Sequence, residues 1–254
     1  MLGRLDSSCR DGTMRRMTCK RPPGLFVTGT DTEVGKTYVA ALIARALREA
    51  GHRVGVYKPA ASGCRQVEGE LVSDDAVRLW EAAGRPGTLD RVCPQRFEAA
   101  VAPHLAAREE GRRLDPGLLR TGIEYWQARS DIVLVEGAGG LMSPLGDEEY
   151  VADLAADLRY PLVVVARNAL GTINHTLQTL IAAATFRDGL PVAGIVLNHS
   201  APSRDDASTA TNRQELTARC EPPILAEVGW RQDGFDVEVD WFGVGSRCWE
   251  STQE

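Results

Sequence analysis

The sequence predicts an α/β fold: a single domain with a mostly parallel sheet and helices on both of its faces. Short β-rich runs alternate along the chain with helical patterns, which indicates βαβ units. Several runs, such as residues 161–166 (PLVVVA), are almost continuously apolar, which is typical of strands covered on both faces. The length of 254 residues is sufficient for one domain of this class.

The predicted strands and helices follow each other in regular order. The strands are residues 24–29, 53–59, 131–137, 161–166, 192–198 and 223–228. The helices are residues 35–50, 74–83, 115–129, 148–158, 172–187 and 205–219. Asp115 followed by Pro116 marks the start of one helix, because aspartate caps helices and proline fits their first turn.

The two ends of the chain lack this order. Residues 1–23 have no apolar period and no apolar core of a secretion signal, so we expect a disordered tail. Residues 232–254 show no pattern that allows an assignment, and they are treated as a tail of unassigned structure. The predicted domain therefore covers residues 24–231.

Composition excludes several classes of partner. The formal net charge of -6 argues against nucleic acid or an anionic membrane, since both require a basic face. No stretch reaches the roughly 18 apolar residues of a membrane span. The cysteines form no C-x-x-C pair and have no histidine at metal-binding spacing, which is typical of reduced thiols in a cytoplasmic protein; they are Cys9, Cys19, Cys64, Cys93, Cys220 and Cys248.

The segment 29–37, GTDTEVGKT, ends like a phosphate-binding loop. Its first glycine, Gly29, stands one residue earlier than in the usual pattern G-x-x-x-x-G-K-[ST]. A predicted strand precedes the segment and an apolar-periodic helix follows it, which is the context that a phosphate-binding loop requires. Lys36 is then a cation for phosphate and the Thr37 hydroxyl a ligand for Mg²⁺. These features predict a fold like that of P-loop NTPases.

Polar residues stand at the end of each of the next four strands. They are Lys58, Glu136, Arg167 with Asn168, and Asn198 with His199. Ligands of open parallel sheets bind beyond the carboxyl ends of the strands. We therefore expect these side chains and the loop to converge on one crevice.

Several of these residues allow two interpretations. Lys58 either balances charge on a phosphoryl group or reaches into water. Glu136, at the end of a buried strand, either holds Mg²⁺ or caps a turn, and the burial cost favours the metal. Asp75 in SDDA is either a second metal ligand or a helix cap, and locally the cap is favoured. Asn198 either contacts an adenine edge or turns a loop. Ser62 either contacts the acceptor or belongs to a turn.

Six segments together resemble the ATP-dependent dethiobiotin synthetase family. They are FVTGTDTEVGKT, YKPAASG, SDDA, APHLAA, VLVEGAGG and LGTINHTLQT, in this order along the chain. The resemblance implies a homodimeric ligase that uses ATP, Mg²⁺, CO₂ and 7,8-diaminopelargonate. Such enzymes form a carbamate and a carbamic-phosphoric anhydride, and then close the cyclic urea of dethiobiotin.

The resemblance also implies roles for individual residues. Lys58 would be the catalytic cation, and Thr32 and Ser62 would bind the diamine, with the widened loop 30–33 making room for it. Mg²⁺ would be held by Thr37, Asp75 and Glu136, so that the ligand interpretation of Asp75 outweighs the cap. The nucleotide would contact Glu33, Val34, Gly35, Lys36, Thr37, Tyr38, Asp75, Glu136, Gly137, Ala138, Gly139, Asn198, His199, Gly229 and Trp230.

The chain departs from the family pattern at two positions near the nucleotide base. His199 stands where the family tends to have an acidic residue, and Gly229 where it usually has proline, so the nucleotide preference is left open. In such homodimers the neighbouring subunit contributes to the substrate site, including the segment 171–175 (GTINH).

Two other classes of protein are alternatives. A P-loop ATPase switch of the partitioning or cell-division type carries a second lysine where this chain has Asp31, and the chain has no basic amphipathic C-terminal helix for a membrane. An amidating ligase of cobalamin synthesis requires an additional glutaminase domain, for which 254 residues leave no room.

Overall fold

The structure, a computed structural model, describes residues 21–202 and 206–247. Its strands are β1 (Gly24–Gly29), β2 (Val54–Tyr57), β3 (Ala60–Ala61), β4 (Arg65–Val67), β5 (Glu70–Val72), β6 (Gln95–Arg96), β7 (Ile132–Glu136), β8 (Leu162–Arg167), β9 (Val192–Asn198) and β10 (Ile224–Val228). Six of them form the central sheet in the order β10-β9-β8-β1-β7-β2, with all neighbours parallel. A short parallel pair, β3 and β6, and an antiparallel hairpin, β4 and β5, lie outside it.

The helices separate these strands. They are α1 (Lys36–Glu49), α2 (Asp74–Ala82), α3 (Leu89–Val92), α4 (Pro103–Glu109), α5 (Pro116–Thr121), α6 (Glu124–Gln127), α7 (Val151–Leu158), α8 (Thr172–Thr185), α9 (Asn212–Thr217) and α10 (Trp241–Gly245), with a 3-10 helix at Ala207–Ala210.

Right-handed crossovers place helices on both faces of the sheet. From β1 the chain passes through α1 to β2, in one direction across the sheet. From β7 it passes through α7, α8 and α9 in the opposite direction. Because such crossovers are right-handed almost without exception, α1 covers one face, and α7, α8 and α9 cover the other. All residues of β1 and β7 are accordingly buried. The predicted fold class is confirmed.

The six predicted strands all occur in the central sheet, and two predicted helices differ in detail. The helix predicted at 115–129 is interrupted between α5 and α6. At that interruption a Cβ on Gly122 would lie 2.4 Å from the Tyr57 hydroxyl, so only glycine permits this approach of the chain to β2. The helix predicted at 205–219 is a 3-10 helix followed by the short α9.

The chain after β10 is better ordered than the sequence predicts. Residues 232–254 carry no recognisable pattern, yet α10 packs beside the first strand, where Gly245 approaches the Gly24 carbonyl. Trp241 is buried, and the Phe242 ring stacks on His52 with 4.2 Å between ring centroids. Five residues are too few to produce a helical period, which explains the failure.

The structure also describes part of the N-terminal segment, three of the cysteines and helices whose length can be compared with a membrane span. Of the predicted tail 1–23, residues 1–20 lie outside the described residues. Cys64, Cys93 and Cys220 are free thiols, and burial raises the pKa of Cys93 to about 12, whereas the other three cysteines are not described. Within 21–202 and 206–247, none of the helices has the length and apolar character that a bilayer crossing requires.

Candidate active site

The loop between β1 and α1 is shaped by one glycine. Gly35 immediately precedes α1 with φ 91°, a left-handed conformation that glycine adopts without strain. A Cβ at this position would lie 2.1 Å from Nδ2 of Asn198, so a larger residue would displace that side chain. Glu33 also has a positive φ, of 55°, in the widened front of the loop. The backbone amides at the start of α1 are thereby directed towards the crevice.

Lys36 and Thr37, in the first turn of α1, carry the chemistry of the loop. The Lys36 amine donates to the carbonyl oxygen of Asp31 at 3.1 Å, across the front of the loop. Burial lowers the pKa of Lys36, although the nearby Glu136 carboxylate opposes this effect. The Thr37 hydroxyl donates to Oε1 of Glu136 at 2.7 Å. The loop is thus connected directly to the end of β7.

Lys58 lies between two carboxylates. Its Nζ is 2.7 Å from Oε1 of Glu136 and 3.1 Å from Oδ2 of Asp75. Lys58 and Glu136 are 4% and 1% exposed, so this is a buried ion pair. Burial acts to lower the pKa of Lys58, but the two carboxylates outweigh it and raise that pKa above its ordinary value. Lys58 therefore carries a positive charge at neutral pH.

Asp75 does not cap its helix. The cap of α2 is Ser73, whose hydroxyl accepts from the Ala76 backbone amide at 3.3 Å. Asp75 follows two residues later, with its side chain about half exposed and directed at Lys58. Burial raises the pKa of Asp75, but Lys58 outweighs this effect and lowers it. The cap interpretation of Asp75 is wrong, because the neighbouring serine occupies that position.

These charged groups line one cavity of about 690 Å³. Its wall near the loop is polar and contains Lys36, Thr37 and Lys58. Another part of the lining is apolar, and it is built by Ala60, Ala61, Ala100, Val101, Ala102 and Pro103 together with Ser62. The cavity therefore combines a site for anionic phosphate with a surface for a hydrocarbon chain.

The donor set at the end of β7 suits Mg²⁺. Oε2 of Glu136 is buried and has no hydrogen-bond partner within the described part of the chain. Such an oxygen is costly unless a cation approaches it. Among the described residues, no group of three or more His, Cys, Asp or Glu side chains could hold a metal by itself. Protein sites bind Mg²⁺ through one or two carboxylates together with phosphate oxygens.

A second polar group lies at the ends of β8, β9 and β10. Nδ2 of Asn198 donates to the carbonyl oxygen of Val34 at 2.8 Å and so supports the loop from behind. Asn168 donates to Oε1 of Glu227 at 2.8 Å, and Nε2 of His199 contacts the same carboxylate oxygen. The Gly229 amide donates to the side chain of Gln232 at 3.3 Å, next to the partly exposed Trp230.

Most of the predicted site residues meet at the cavity, and the rest lie beside it. The cavity is lined by Thr32, Glu33, Gly35, Lys36, Thr37, Tyr38, Lys58, Ser62, Asp75, Glu136, Ala138 and Gly139. Val34 and Gly137 stand behind this lining, and Asn198, His199, Gly229 and Trp230 belong to the second polar group. Asn174 and His175, in the segment 171–175, are exposed on α8.

Several lining residues were not predicted from the sequence. Arg78, Ser143 and the apolar segment 100–103 line the cavity as well. The Ser143 hydroxyl accepts from the Gly140 amide at 2.8 Å and so folds the glycine-rich segment after β7. Arg78 had a signal in the sequence, since it stands three residues after Asp75 on the same helical face.

A phosphate-binding loop at the centre of a parallel sheet, opposite a buried lysine and carboxylate, defines a nucleotide-binding protein of the P-loop NTPase class. The family model described as an AAA domain matches residues 23–234. The chain is 45% identical over 214 residues to the ATP-dependent dethiobiotin synthetase BioD of Rhodopirellula baltica, covering 80% of this chain and 82% of that protein. The protein of the same name from Anaeromyxobacter dehalogenans is 48% identical over 210 residues, covering 83% and 91%. This chain belongs to the ATP-dependent dethiobiotin synthetase family.

Two solved structures resemble this chain in fold at low sequence identity. A ParA family ATPase from Chlorobium tepidum has a TM-score of 0.51 at 18% identity, covering 84% of this chain and 85% of that one. The signal recognition particle receptor FtsY from Elizabethkingia anophelis has a TM-score of 0.51 at 16% identity, covering 89% and 65%. These similarities support the P-loop fold class and carry no information on the reaction.

Proposed function

We propose that this protein is an ATP-dependent dethiobiotin synthetase, a ligase of biotin biosynthesis. It joins CO₂ and 7,8-diaminopelargonate into the cyclic urea of dethiobiotin and converts ATP to ADP and phosphate. One observation carries the proposal at the level of the site: the Lys58 amine lies between Glu136 and Asp75, beside the Thr37 hydroxyl of the loop. A cation at this point can stabilise negative charge on both an acceptor and a transferred phosphoryl group.

Lys58 acts as an electrostatic group in this proposal. Its raised pKa keeps the amine protonated, so it does not serve as a base. The first amine of the substrate adds to CO₂ and releases a proton, which gives a carbamate. A carbamate oxygen attacks the γ-phosphorus of ATP and ADP leaves, while Lys58 attracts both the carbamate and the phosphoryl oxygens. The second amine then attacks the carbamate carbon, releases a proton and expels phosphate, which closes the ring.

Mg²⁺ fits three residues at the polar wall. Thr37, Asp75 and Glu136 would hold the ion, and the unpartnered Oε2 of Glu136 is the group most in need of it. When bound, Mg²⁺ neutralises charge on the phosphates. Lys58 and Thr37 both donate to the other oxygen of Glu136, Oε1, and so fix the orientation of this carboxylate.

The apolar wall accounts for the second substrate. A diamine acceptor with a hydrocarbon chain requires a surface free of charge next to the reacting groups. Ala60, Ala61 and Val101 provide it, and Ser62 offers one hydroxyl for an amine. Thr32, in the widened part of the loop, lines the same cavity from the phosphate side. We propose that ATP binds to the loop and to the second polar group. Asn198, a member of that group, donates to the Val34 carbonyl and so connects it to the loop.

A homodimer in the cytoplasm belongs to the same proposal. Leu170 is 84% exposed just before α8, and Ile181 is 62% exposed on α8. Exposed large apolar residues close to the segment 171–175 favour a subunit interface there. The mass of the protein in solution tests this directly, with Ile181→Asp as the variant that should shift a dimer towards a monomer.

The function is tested by phosphate release. Purified protein is mixed with ATP, Mg²⁺ and bicarbonate, with and without 7,8-diaminopelargonate. We expect phosphate release to depend on the diamine and dethiobiotin to form in equal amount. Release that proceeds equally without the diamine would favour an ATPase switch and contradict the proposal.

A further inference from the structure

Arg78 is a cation at the cavity that the proposed reaction does not use. It lies on α2 three residues after Asp75, and residues at this spacing share one helical face. Asp75 points at Lys58, and Arg78 lines the same cavity one turn further along the helix. Its guanidinium is exposed, so it can reach a ligand without a desolvation cost comparable to that of a buried charge.

The other two cations of the cavity already have partners. Lys58 is shared by Glu136 and Asp75, and Lys36 is bonded to a backbone carbonyl. Within 21–202 and 206–247, Arg78 makes no ion pair. Its neighbour Asp74 is bound by the guanidinium of Arg65 at 2.5 Å, and this hydrogen bond is the main cause of the lowered pKa of Asp74. Arg78 is therefore the lining cation that an anionic ligand can pair with at the lowest cost.

The position of Arg78 relative to Tyr38 indicates which part of the ligand it faces. Burial raises the pKa of the Tyr38 hydroxyl, and Asp233 adds to this, whereas the positive charges of Arg45 and Arg78 oppose it. Tyr38 follows Thr37 in the first turn of α1, and its hydroxyl donates to the Gln232 carbonyl beside the second polar group. Arg78 and Tyr38 line the same cavity, and α2 packs against α1, so Arg78 lies beside the first turn of α1, whose backbone amides face the phosphates.

We propose that Arg78 binds the α- and β-phosphates of the nucleotide, the part that ATP and ADP share, and so determines nucleotide affinity without acting in phosphoryl transfer. This inference rests on the proposed ATP site and deepens it. A contact made equally with substrate and product strengthens binding of both and leaves the chemical step unchanged.

The test compares binding of ATP and of ADP, each with Mg²⁺, by titration calorimetry. The proteins are the unaltered chain, Arg78→Ala and Arg78→Lys, with Arg219→Ala as a control for the loss of one exposed arginine remote from the cavity. For Arg78→Ala we expect Kd to rise by about tenfold for ATP and by the same factor for ADP, as loss of one charged hydrogen bond predicts. KM for ATP should rise with kcat unchanged. Arg78→Lys should regain part of the affinity, and Arg219→Ala should match the unaltered chain.

The two levels of the proposal fail in different ways. An unaltered chain that binds neither nucleotide would contradict the proposed function itself. If the unaltered chain binds ATP and Arg78→Ala binds it equally well, the inference about Arg78 is wrong. It is also wrong if ATP binding weakens and ADP binding does not, because Arg78 would then contact the γ-phosphate.

Discussion

The two ends of the crevice are built on different principles. At the ends of β2 and β7, Lys58 and Glu136 are buried charges that neutralise each other at 2.7 Å. At the ends of β8, β9 and β10, the groups are amides and one His–Glu contact that form a hydrogen-bonded network, with Trp230 partly exposed beside them. At the first end, we expect Lys58 and Glu136 to change partners when charged ligands bind. At the second end, the polar groups already form hydrogen bonds with each other.

This difference separates rate from affinity. Stabilising charge that develops during a reaction raises kcat, whereas contacts made equally before and after the reaction affect only binding. We expect substitutions at the charged end to lower kcat, and substitutions at the amide end to raise KM for ATP.

Lys58→Ala should have the largest effect on turnover. Removal of this cation should lower kcat by about a hundred- to a thousandfold, as the loss of one preorganised electrostatic group does. ATP affinity should change little, since Lys36 and the loop amides are retained. Steady-state kinetics and calorimetry check the two quantities. Loss of both ATP binding and turnover would mean that Lys58 is a binding residue. The charged end would then determine ATP affinity and not only kcat.

The same substitution should also reduce stability. Glu136 would be left as an unpaired buried carboxylate, which costs about 3–5 kcal/mol in the free energy of unfolding. The double variant Lys58→Met with Glu136→Gln should regain most of that stability and remain inactive. Denaturant unfolding of the two variants measures this. Equal stabilities of Lys58→Ala and the double variant would show that the pair is not coupled as the contact implies.

The pH dependence of kcat follows from the direction of two pKa shifts. Lys58 has a raised pKa, so its contribution is fully present below the ordinary value of 10.5 and is lost only as pH rises beyond it. Asp75 has a lowered pKa, so its contribution is present above 3.8 and is lost as pH falls further. Neither group should therefore titrate between about pH 6 and about pH 9. A basic limb of kcat in this range that Asp75→Asn shifts to lower pH would contradict the assigned charge of Lys58.

Asn198→Ala tests the amide end. The Val34 carbonyl loses its donor, and the support behind Gly35 is removed. We expect KM for ATP to rise about tenfold, the equivalent of one lost buried hydrogen bond, with kcat nearly unchanged. Initial rates at varied ATP concentration separate the two constants. A fall in kcat larger than the rise in KM would place Asn198 with the charged end.

Tyr38→Phe should have the smallest effect. The variant loses the hydroxyl that donates to the Gln232 carbonyl and keeps the ring and the loop intact. One neutral hydrogen bond in a partly exposed position predicts a rise in KM for ATP of about two- to fivefold. The same kinetic measurement applies, with Arg219→Ala as the remote control. No change in KM would mean that the contact between α1 and the segment after β10 does not order the nucleotide site.

The charged end could be predicted from the sequence because parallel strands bring their carboxyl ends to one edge. Lys58 directly follows β2, and Glu136 is the last residue of β7. The parallel topology therefore brings the two side chains together. Asp75 could not be settled locally, since Ser73, Asp74 and Asp75 are all acceptable caps. Only the fold shows that Ser73 takes that position.

Features determined by contacts distant in sequence were not predictable. The break at Gly122 depends on the Tyr57 hydroxyl, and α10 depends on the surface offered by His52 and β1. Helical spacing places Arg78 on the face of Asp75, but only the packing of α2 on α1 shows that this face lines the cavity. Each of these features depends on a contact between residues that lie far apart in the sequence, and local patterns do not reveal such contacts.

The central claim is that ATP and the carbamate of the diamine react in the cavity around Lys58, where Mg²⁺ would also be held. Its most direct test is the incorporation of ¹⁴C-bicarbonate into acid-stable product, measured together with ADP in the same reaction mixture. We predict equal amounts of labelled cyclic urea and ADP, both dependent on 7,8-diaminopelargonate and both absent from Lys58→Ala. ADP that forms without labelled product, or labelled product that Lys58→Ala still makes at the normal rate, would contradict the account.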